Sequence, residues 1–486
     1  MSAQAIEPWQ LTAEEAWAWL LMGRANPLDL VEASLARIDH VNPQVNAIID
    51  IYRDEALDEA IRLKKSRKRL PNQMLRGLPV TIKDNIESAG HVMSEGVPAL
   101  KNNVCAQDAP LVSRLKDNGA IIVGRTNCPP HCWQLFGTNA LYGSTINPRN
   151  PALTPGGSSS GAAVSVATGM APIAQGNDIA GSIRYPAYAN GIVGLRPTNG
   201  LIPGSDTTPA DKPFIFRAFA SQGVLARTVD DAFLGFDGMK GYAPGDPASI
   251  ECAMAYARDP KTVGVYLGTD IADVDEKVEA AVLHAAHGLE AHGWRVEYVT
   301  TDVFRRLFAL EIELMFGDFL RPGAHAEEKE QGGEILRRGV VGVQGVLDDL
   351  RGEGYVPTLD DYLDGLARLG SAQRDLRKLM ERYPLILTPA SAETPFLRDE
   401  DQSCTPERAK AMAYAAWPMD VVPIAGLPAL ALPTDVVADG VNLGVQLIAR
   451  AYDELTLKRA GTDVERYFDL DHLPVDPAGA PVPRVR

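Results

Sequence analysis

Cysteine is scarce in this chain: five residues among 486, an odd number with no spacing that would frame a disulfide scaffold. Free thiols in a reducing compartment follow, and a cytoplasmic protein is the expectation. Long apolar runs are missing too, since no stretch reaches the roughly 18 residues a membrane span needs. The opening "MSAQAIEPWQ" lacks the basic start and apolar run of a signal peptide. Basic charge is short, with 47 Lys and Arg against 63 Asp and Glu and a net charge of −16. That balance sets aside nucleic acid and anionic membrane surfaces as partners. The one basic run, "KKSRKR" from Lys64 to Arg69, reads as the solvated end of a helix begun near Asp54. Histidine is sparse as well: there are eight, and none lies within forty residues of Ser182 in the turn "GNDIAGSIRYPA".

What is present describes a globular enzyme. Hydrophobic residues make up 45% and charged residues 23%, proportions that support a sizeable core. The length allows two or three domains, or one large α/β unit with insertions. "LTAEEAWAWLLMG" and "PLDLVEASLARIDHVN" carry apolar residues at helical spacing, the first behind a capping box of Thr12 and Glu15. "LPVTIKD" and "GAIIVGRTN" read as buried strands on either side of the helix "APLVSRLKDNG". "TVGVYLG" and "WRVEYVT" flank the helical "DVDEKVEAAVLHAAHGLEAHG", a unit suited to a sheet covered by helices. Residues 303–382 are helical and charged; "YPLILTPA", "LPALALPTD" and "NLGVQLIAR" are late strands before a closing helix and a proline-rich tail.

Between Asn147 and Gly204 the composition shifts to Gly, Ser, Pro and Asn. Such backbone is suited to approaching a ligand or another backbone closely. Three polar groups stand out there and nearby. Lys83 ends an apolar strand pattern, Ser158 follows two glycines, and Ser182 sits in a small-residue turn. Each alone has an ordinary reading: a surface lysine, a helix N-cap, a turn serine.

Together they are more specific. "GLPVTIKDN", "GRTNCPP", "TPGGSSSGAA", "GNDIAGSIRYPA", "GIVGLRPTNG", "GLPALALP" and "GVQLIAR" occur in the order seen in the amidase signature family, which the chain resembles from about Leu11 to about Phe468. The resemblance implies one α/β/α domain over residues 1–486, with a central mixed β-sheet covered by helices. Within it would lie a helical N-terminal segment to about residue 70, a catalytic core at about 75–235 and a variable, mostly helical periphery at about 303–417. It also implies a Ser-Ser-Lys triad: Ser182 as nucleophile, Ser158 as bridge in a cis peptide, Lys83 as base. A neutral amine can take a serine proton. Lysine titrates near ~10.4, so burial must depress it by roughly three units to serve at neutral pH. Asp84, next along the strand, points to the other face and need not re-protonate it.

The N–H groups of Ile179, Ala180, Gly181 and Ser182 are expected to converge on the tetrahedral oxyanion. Asp178 and Arg184 hold that loop in shape. Two departures from the family pattern stand out: Ala180 and Ser160 occupy positions where glycine is common, and the second leaves three consecutive hydroxyls at 158–160. Trp133, Phe136, Phe214, Phe216 and Phe219 suggest an apolar or aromatic acyl pocket, with residues 202–222 and 303–417 framing it. The implied reaction is hydrolysis of a C–N bond in a small-molecule amide, with carbamates (a urethanase activity) and esters as variants. No metal or organic cofactor is needed, and a monomer or homodimer suffices. The rival reading is the glutamine-hydrolysing subunit of a tRNA-dependent amidotransferase.

Other signals are weaker. Cys128, His131 and Cys132 in "CPPHC" lack a second ligand pair for zinc and read as pocket lining or packing. His284, His287 and His292 fall on one helix without carboxylate spacing. "GGSSSGAA" lacks the lysine a phosphate loop requires. A Ser-His-Asp triad would have to recruit His91 or His131, and neither context favours that.

Overall fold

A computed structural model describes residues 6–66, 73–204, 214–252, 261–320, 323 and 325–477. Arg67–Arg69 of the basic run, 205–213 of the pocket-framing loop and the end of the proline-rich tail lie outside the described residues.

The chain opens as its caps dictate. Thr12 accepts from the Glu15 N–H at 3.2 Å while the Glu15 carboxylate accepts from the Thr12 N–H at 2.9 Å, starting the helix Ala13–Met22. Asn26 caps the helix Pro27–Val45, accepting from the Leu28 N–H at 3.0 Å. Val31, Leu35, Ile38, Val41 and Val45 bury one stripe of it against Ala56, Ala60 and Leu63 of the helix Arg53–Lys65.

Among the described residues thirteen strands follow the chain: β1 (Ile48–Ile51), β2 (Pro79–Lys83), β3 (Ile121–Thr126), β4 (Thr138–Asn139), β5 (Gly143–Ser144), β6 (Ile173–Asp178), β7 (Val193–Arg196), β8 (Ser221–Ala226), β9 (Thr262–Val265), β10 (Arg295–Tyr298), β11 (Leu385–Pro389), β12 (Ala429–Ala438) and β13 (Val441–Ala449). Eleven form one mixed sheet in the order β1-β3-β2-β6-β8-β7-β12-β13-β11-β9-β10, while β4 and β5 pair separately. Helices cover the sheet, among them Ser160–Ala167 on β6 and β8, Val229–Met239 on β8, Glu276–Ala291 and Glu454–Phe468 on β12 and β13. The fold is the mixed α/β sheet covered by helices that the sequence implies.

Two strands have no clear sequence signal. β1 is an edge strand of four residues lodged between helices, and a bulge between Ile48 and Asp50 interrupts its pairing with β3. β8 carries Gln222 and Gly223 and gains its conformation from antiparallel neighbours on both sides, β6 and β7.

The sheet brings the chemistry together at one edge. β2 and β6 are adjacent and parallel, so Lys83, the last residue of β2, and Asp178, the last of β6, share the carboxyl end of the strands, where open α/β sheets hold their ligands. The helical segment after β10 runs through Val303–Glu311, a π-helical turn Ile312–Phe316, Gly317–Leu320, Ala326–Gly339, Val341–Arg351 and Leu359–Arg382.

Candidate active site

Lys83 is fully buried. Its Nζ donates to Ser158 Oγ at 2.7 Å and to Asn177 Oδ1 at 2.8 Å, and its backbone N–H donates to Gln175 Oε1 at 2.9 Å. Asn177 is held in turn by donating Nδ2 to Asn85 Oδ1 at 2.8 Å. Asp84 faces elsewhere, as strand alternation requires. It accepts from the Ser94 N–H and hydroxyl and lies 3.7 Å from Arg125. Burial pushes the Asp84 carboxyl up to about 6, and the Arg125 charge restrains that rise.

The peptide bond between Gly157 and Ser158 is cis. The glycines before it are compelled by contact: a Cβ on Gly157 would lie 2.2 Å from the Phe136 carbonyl oxygen, and one on Gly156, at φ +72°, 2.6 Å from Pro186 Cα. Of the three consecutive hydroxyls, Ser158 meets Lys83, whereas Ser159 donates to the Asn177 carbonyl at 3.4 Å and Ser160 to the Asn127 carbonyl at 3.2 Å. The Ser159 N–H donates to the Ser182 carbonyl at 3.1 Å, which ties the two serine segments side by side. Among the described residues the Ser182 hydroxyl has no hydrogen-bond partner, and it faces the cavity.

Asp178 and Arg184 clamp the turn between them. Arg184 Nε and a terminal nitrogen reach the two Asp178 oxygens at 2.9 and 2.8 Å, and both groups are fully buried. Arg184 also donates to Gln446 Oε1 at 2.6 Å and to the Met419 carbonyl at 2.6 Å. Burial alone would raise Asp178; the Arg184 charge and hydrogen bonds outweigh it and hold the carboxyl down to about 2. The same carboxylate corrects one expectation. The Gly181 N–H donates to Asp178 Oδ1 at 2.9 Å, and Asp178 Oδ2 accepts from Ile183 at 3.1 Å. Gly181, at φ +96°, therefore turns its N–H into the clamp. The N–H groups of Ile179, Ala180 and Ser182 have no acceptor among the described residues.

A cavity of about 900 Å³, mouth included, opens over Ser182, Ile179 and Ala180. Trp133 and Phe136 line it from the loop after β3, and Ile312, Met315 and Phe316 from the π-helical turn. Phe216 also lines it, 5.2 Å from Trp133 edge to face. Phe214 does not. The helix Phe214–Phe219 rotates residues two apart by about 200°, so Phe214 is 51% exposed and packs on Phe219, which belongs to the core. Asp420 also reaches the cavity; burial pushes its carboxyl well above the usual range, against the pull of Arg184.

Cys132 lines the same cavity and Cys128 is buried in contact with it. Burial raises the Cys132 thiol, but its hydrogen bond with Cys128 and the nearness of Lys83 bring it below its ordinary value, while Cys128 is pushed well above. His131 is occupied by Glu95, with Nδ1 2.8 Å from Oε2. Among the described residues no group of three or more His, Cys, Asp or Glu side chains is arranged to hold a metal ion. Nor is any helix there long and apolar enough to cross a membrane. His284 pairs with Asp435 on the surface.

Sequence reasoning missed Gln175 and Asn177. Their signal was available: two amides at i and i+2 in "AQGND" must share one face of β6, the face toward Lys83. It also missed Gln134, next to Trp133 in the pocket loop, and Gln446, Asp420 and Asp401, which come from distant parts of the chain and carry no local pattern.

Comparison with known proteins agrees with this geometry. The family model Amidase matches residues 29–457. The indoleacetamide hydrolase of Bradyrhizobium diazoefficiens is 32% identical over 96% of this chain and 88% of its own. A Glutamyl-tRNA(Gln) amidotransferase subunit from a Roseiflexus species is 30% identical over 96% of this chain and 99% of its own. Among solved structures, a bacterial aryl acylamidase of the amidase signature family superposes with a TM-score of 0.80 at 23% identity, covering 98% of this chain and all of that one. This chain belongs to the amidase signature family and is a hydrolase of carbon–nitrogen bonds.

Proposed function

We propose that the protein is a free-standing amidohydrolase of aryl and alkyl carboxamides, with carbamates and esters as secondary substrates, working as one domain through an acyl-enzyme on Ser182. The observation that carries this reading is the buried 2.7 Å hydrogen bond between Lys83 Nζ and Ser158 Oγ, short enough to carry a proton from the serine to a neutral amine, beside a Ser182 hydroxyl unengaged among the described residues. As Ser182 Oγ attacks the carbonyl carbon, its proton passes to Ser158 Oγ, whose own proton passes to the neutral Lys83 amine. The carbonyl oxygen becomes an oxyanion received by the N–H groups of Ile179, Ala180 and Ser182. On collapse the C–N bond breaks, Ser158 returns a proton to the departing nitrogen, and water then cleaves the ester by the same route. Cysteines left out of disulfides, such as the buried Cys105 and Cys128, suit a reducing compartment such as the cytoplasm.

The 30% identity to an amidotransferase component supports a second reading, glutaminase action for a partner. The first rests on the apolar wall of Phe216, Ile312, Met315, Phe316 and Val343, which suits an aryl or alkyl body, whereas Arg338 and Asp420 on the same cavity are the charges a free glutamine would use. The test is a panel of anilides, primary amides, carbamates, esters and glutamine, with fluorophosphonate labelling read by peptide mass. Label on Ser182 and turnover of aryl amides are expected. Glutaminase activity alone, or label elsewhere, would overturn the proposal.

A further inference from the structure

The cavity is apolar over most of its wall, yet two buried acceptors on its lining residues have no partner among the described residues. Gln134 is 6% exposed and Asp401 9%. Gln134 spends both Nε2 hydrogens inside the protein, donating to the Ile335 carbonyl at 2.7 Å and to Asp401 Oδ2 at 3.1 Å. A carbonyl can only accept, so the amide cannot be flipped without losing that bond, and Oε1 stays an acceptor. Asp401 Oδ2 also receives Gln402 Nε2 at 2.5 Å. Among the described residues Gln134 Oε1 and Asp401 Oδ1 are left buried and unpaired, on side chains joined by a hydrogen bond.

We propose that Gln134 Oε1 and Asp401 Oδ1 form a specificity site that reads a neutral N–H or O–H donor on the substrate. The site deepens the amidohydrolase reading, on which it rests, and narrows the substrates to amides with an apolar body carrying such a donor. A buried acceptor without a donor keeps its full desolvation penalty, and a ligand that supplies one removes it. The donor is neutral because Arg338 also lines the cavity, held by Glu334 and the Gln402 carbonyl, and opposes a second cation. Burial of Asp401, its largest influence, pushes that carboxyl up to about 7; above that pH Oδ1 accepts, and below it Oδ1, the oxygen free of donors, carries the proton, so the comparison is made at about pH 8.5 or above.

The test pairs indole-3-acetamide with 1-benzothiophene-3-acetamide, in which sulfur replaces the N–H with little change of shape. In the wild-type protein kcat/KM should favour the indole about tenfold or more. In Gln134→Met and in Asp401→Leu, with unfolding temperatures recorded alongside, the ratio should fall to within about twofold. Asp401→Asn keeps the oxygen that accepts from Gln134 and Gln402 and puts an NH2 donor in the place of Oδ1, so it should lose the ratio as Asp401→Leu does. Calorimetric titration of Ser182→Ala protein with the two amides gives the same ratio as dissociation constants, needing neither turnover nor a change in the pair. A ratio near one in the wild-type and Ser182→Ala proteins, failure of both amides to bind, or a high ratio that persists in folded Gln134→Met and Asp401→Leu would overturn the proposal. If the wild-type protein turns over no amide while the binding ratio holds, the reading of function fails and the acceptor pair stands.

Discussion

The glycine- and serine-rich stretch 147–204 and the helical stretch 303–417 both face Ser182, and they are built in different proportions of backbone and side chain. In the first, backbone meets backbone: a Cβ on Gly161 would lie 2.2 Å from the Ala47 carbonyl oxygen, and one on Gly157 equally close to that of Phe136. Its central charges, Asp178 and Arg184, are buried and doubly bonded to each other. In the second, side chains on helices make most of the wall, with a backbone contact as tight at Gly342, where a Cβ would lie 2.1 Å from the Ala409 carbonyl oxygen, and many charges pair on the surface, as Arg338 does with Glu334 and Arg368 with Glu313. The proposed chemistry thus lies where packing leaves the least room for change. The wall proposed to select the substrate is mostly side chain, which can be exchanged with less movement of the backbone.

The comparison is most severely tested at Lys83. Lys83→Ala should lower kcat for an aryl amide by about 10³-fold or more, with a smaller loss of stability as Ser158 and Asn177 lose their donor. Activity should also rise toward alkaline pH, since the amine must be neutral to accept a proton; a rate flat between about pH 6 and 10 would remove it as the base. Next in size, Gly161→Ala should destabilise the fold by about 1–3 kcal/mol or more through overpacking. Exposed Gly370, where an added Cβ meets nothing within 4 Å, should tolerate alanine, and chemical denaturation compares the two directly.

The two regions should also titrate in opposite senses. Asp178 is held at about 2, below its unfolded value near ~3.9, so its contribution is full above about pH 4 and is lost as pH falls toward 2. Asp401 stands at about 7, above its unfolded value, so its contribution is full below about pH 4 and is lost as pH rises through 7. Unfolding temperatures from about pH 3 to 8 should show Asp401→Asn flattening the decline on the alkaline side and leaving the acid side unchanged. The smallest effect separates two neighbouring aromatics. Phe216→Ala should raise KM for aryl amides several-fold, whereas Phe214→Ala, outside the cavity, should leave kcat/KM within about twofold of wild type.

Much of this is legible in the chain. The caps of Thr12 and Asn26, the apolar runs of β2 and β3 and the glycine-rich turn before Ser182 each depend on neighbours a few residues away. Alternation along β2 correctly separates Lys83 from Asp84. Orientation at loops and short helices is not legible in the same way. Position in the turn groups Gly181 with its neighbours as an oxyanion donor, although the buried Asp178 carboxylate takes its N–H. Composition groups Phe214 with Phe216, although a short helix sets them on opposite sides. Asp401 carries no signal because its partner Gln134 lies 267 residues away.

By itself the sequence determined the family, the sheet covered by helices and the three polar residues proposed to act together, because motif order, period and turn chemistry are local properties of a chain. Tertiary structure alone decided which N–H groups remain free and which aromatics see the cavity. It also decided which buried acceptors lack a partner, since hydrogen bonds and desolvation depend on neighbours supplied from hundreds of residues away.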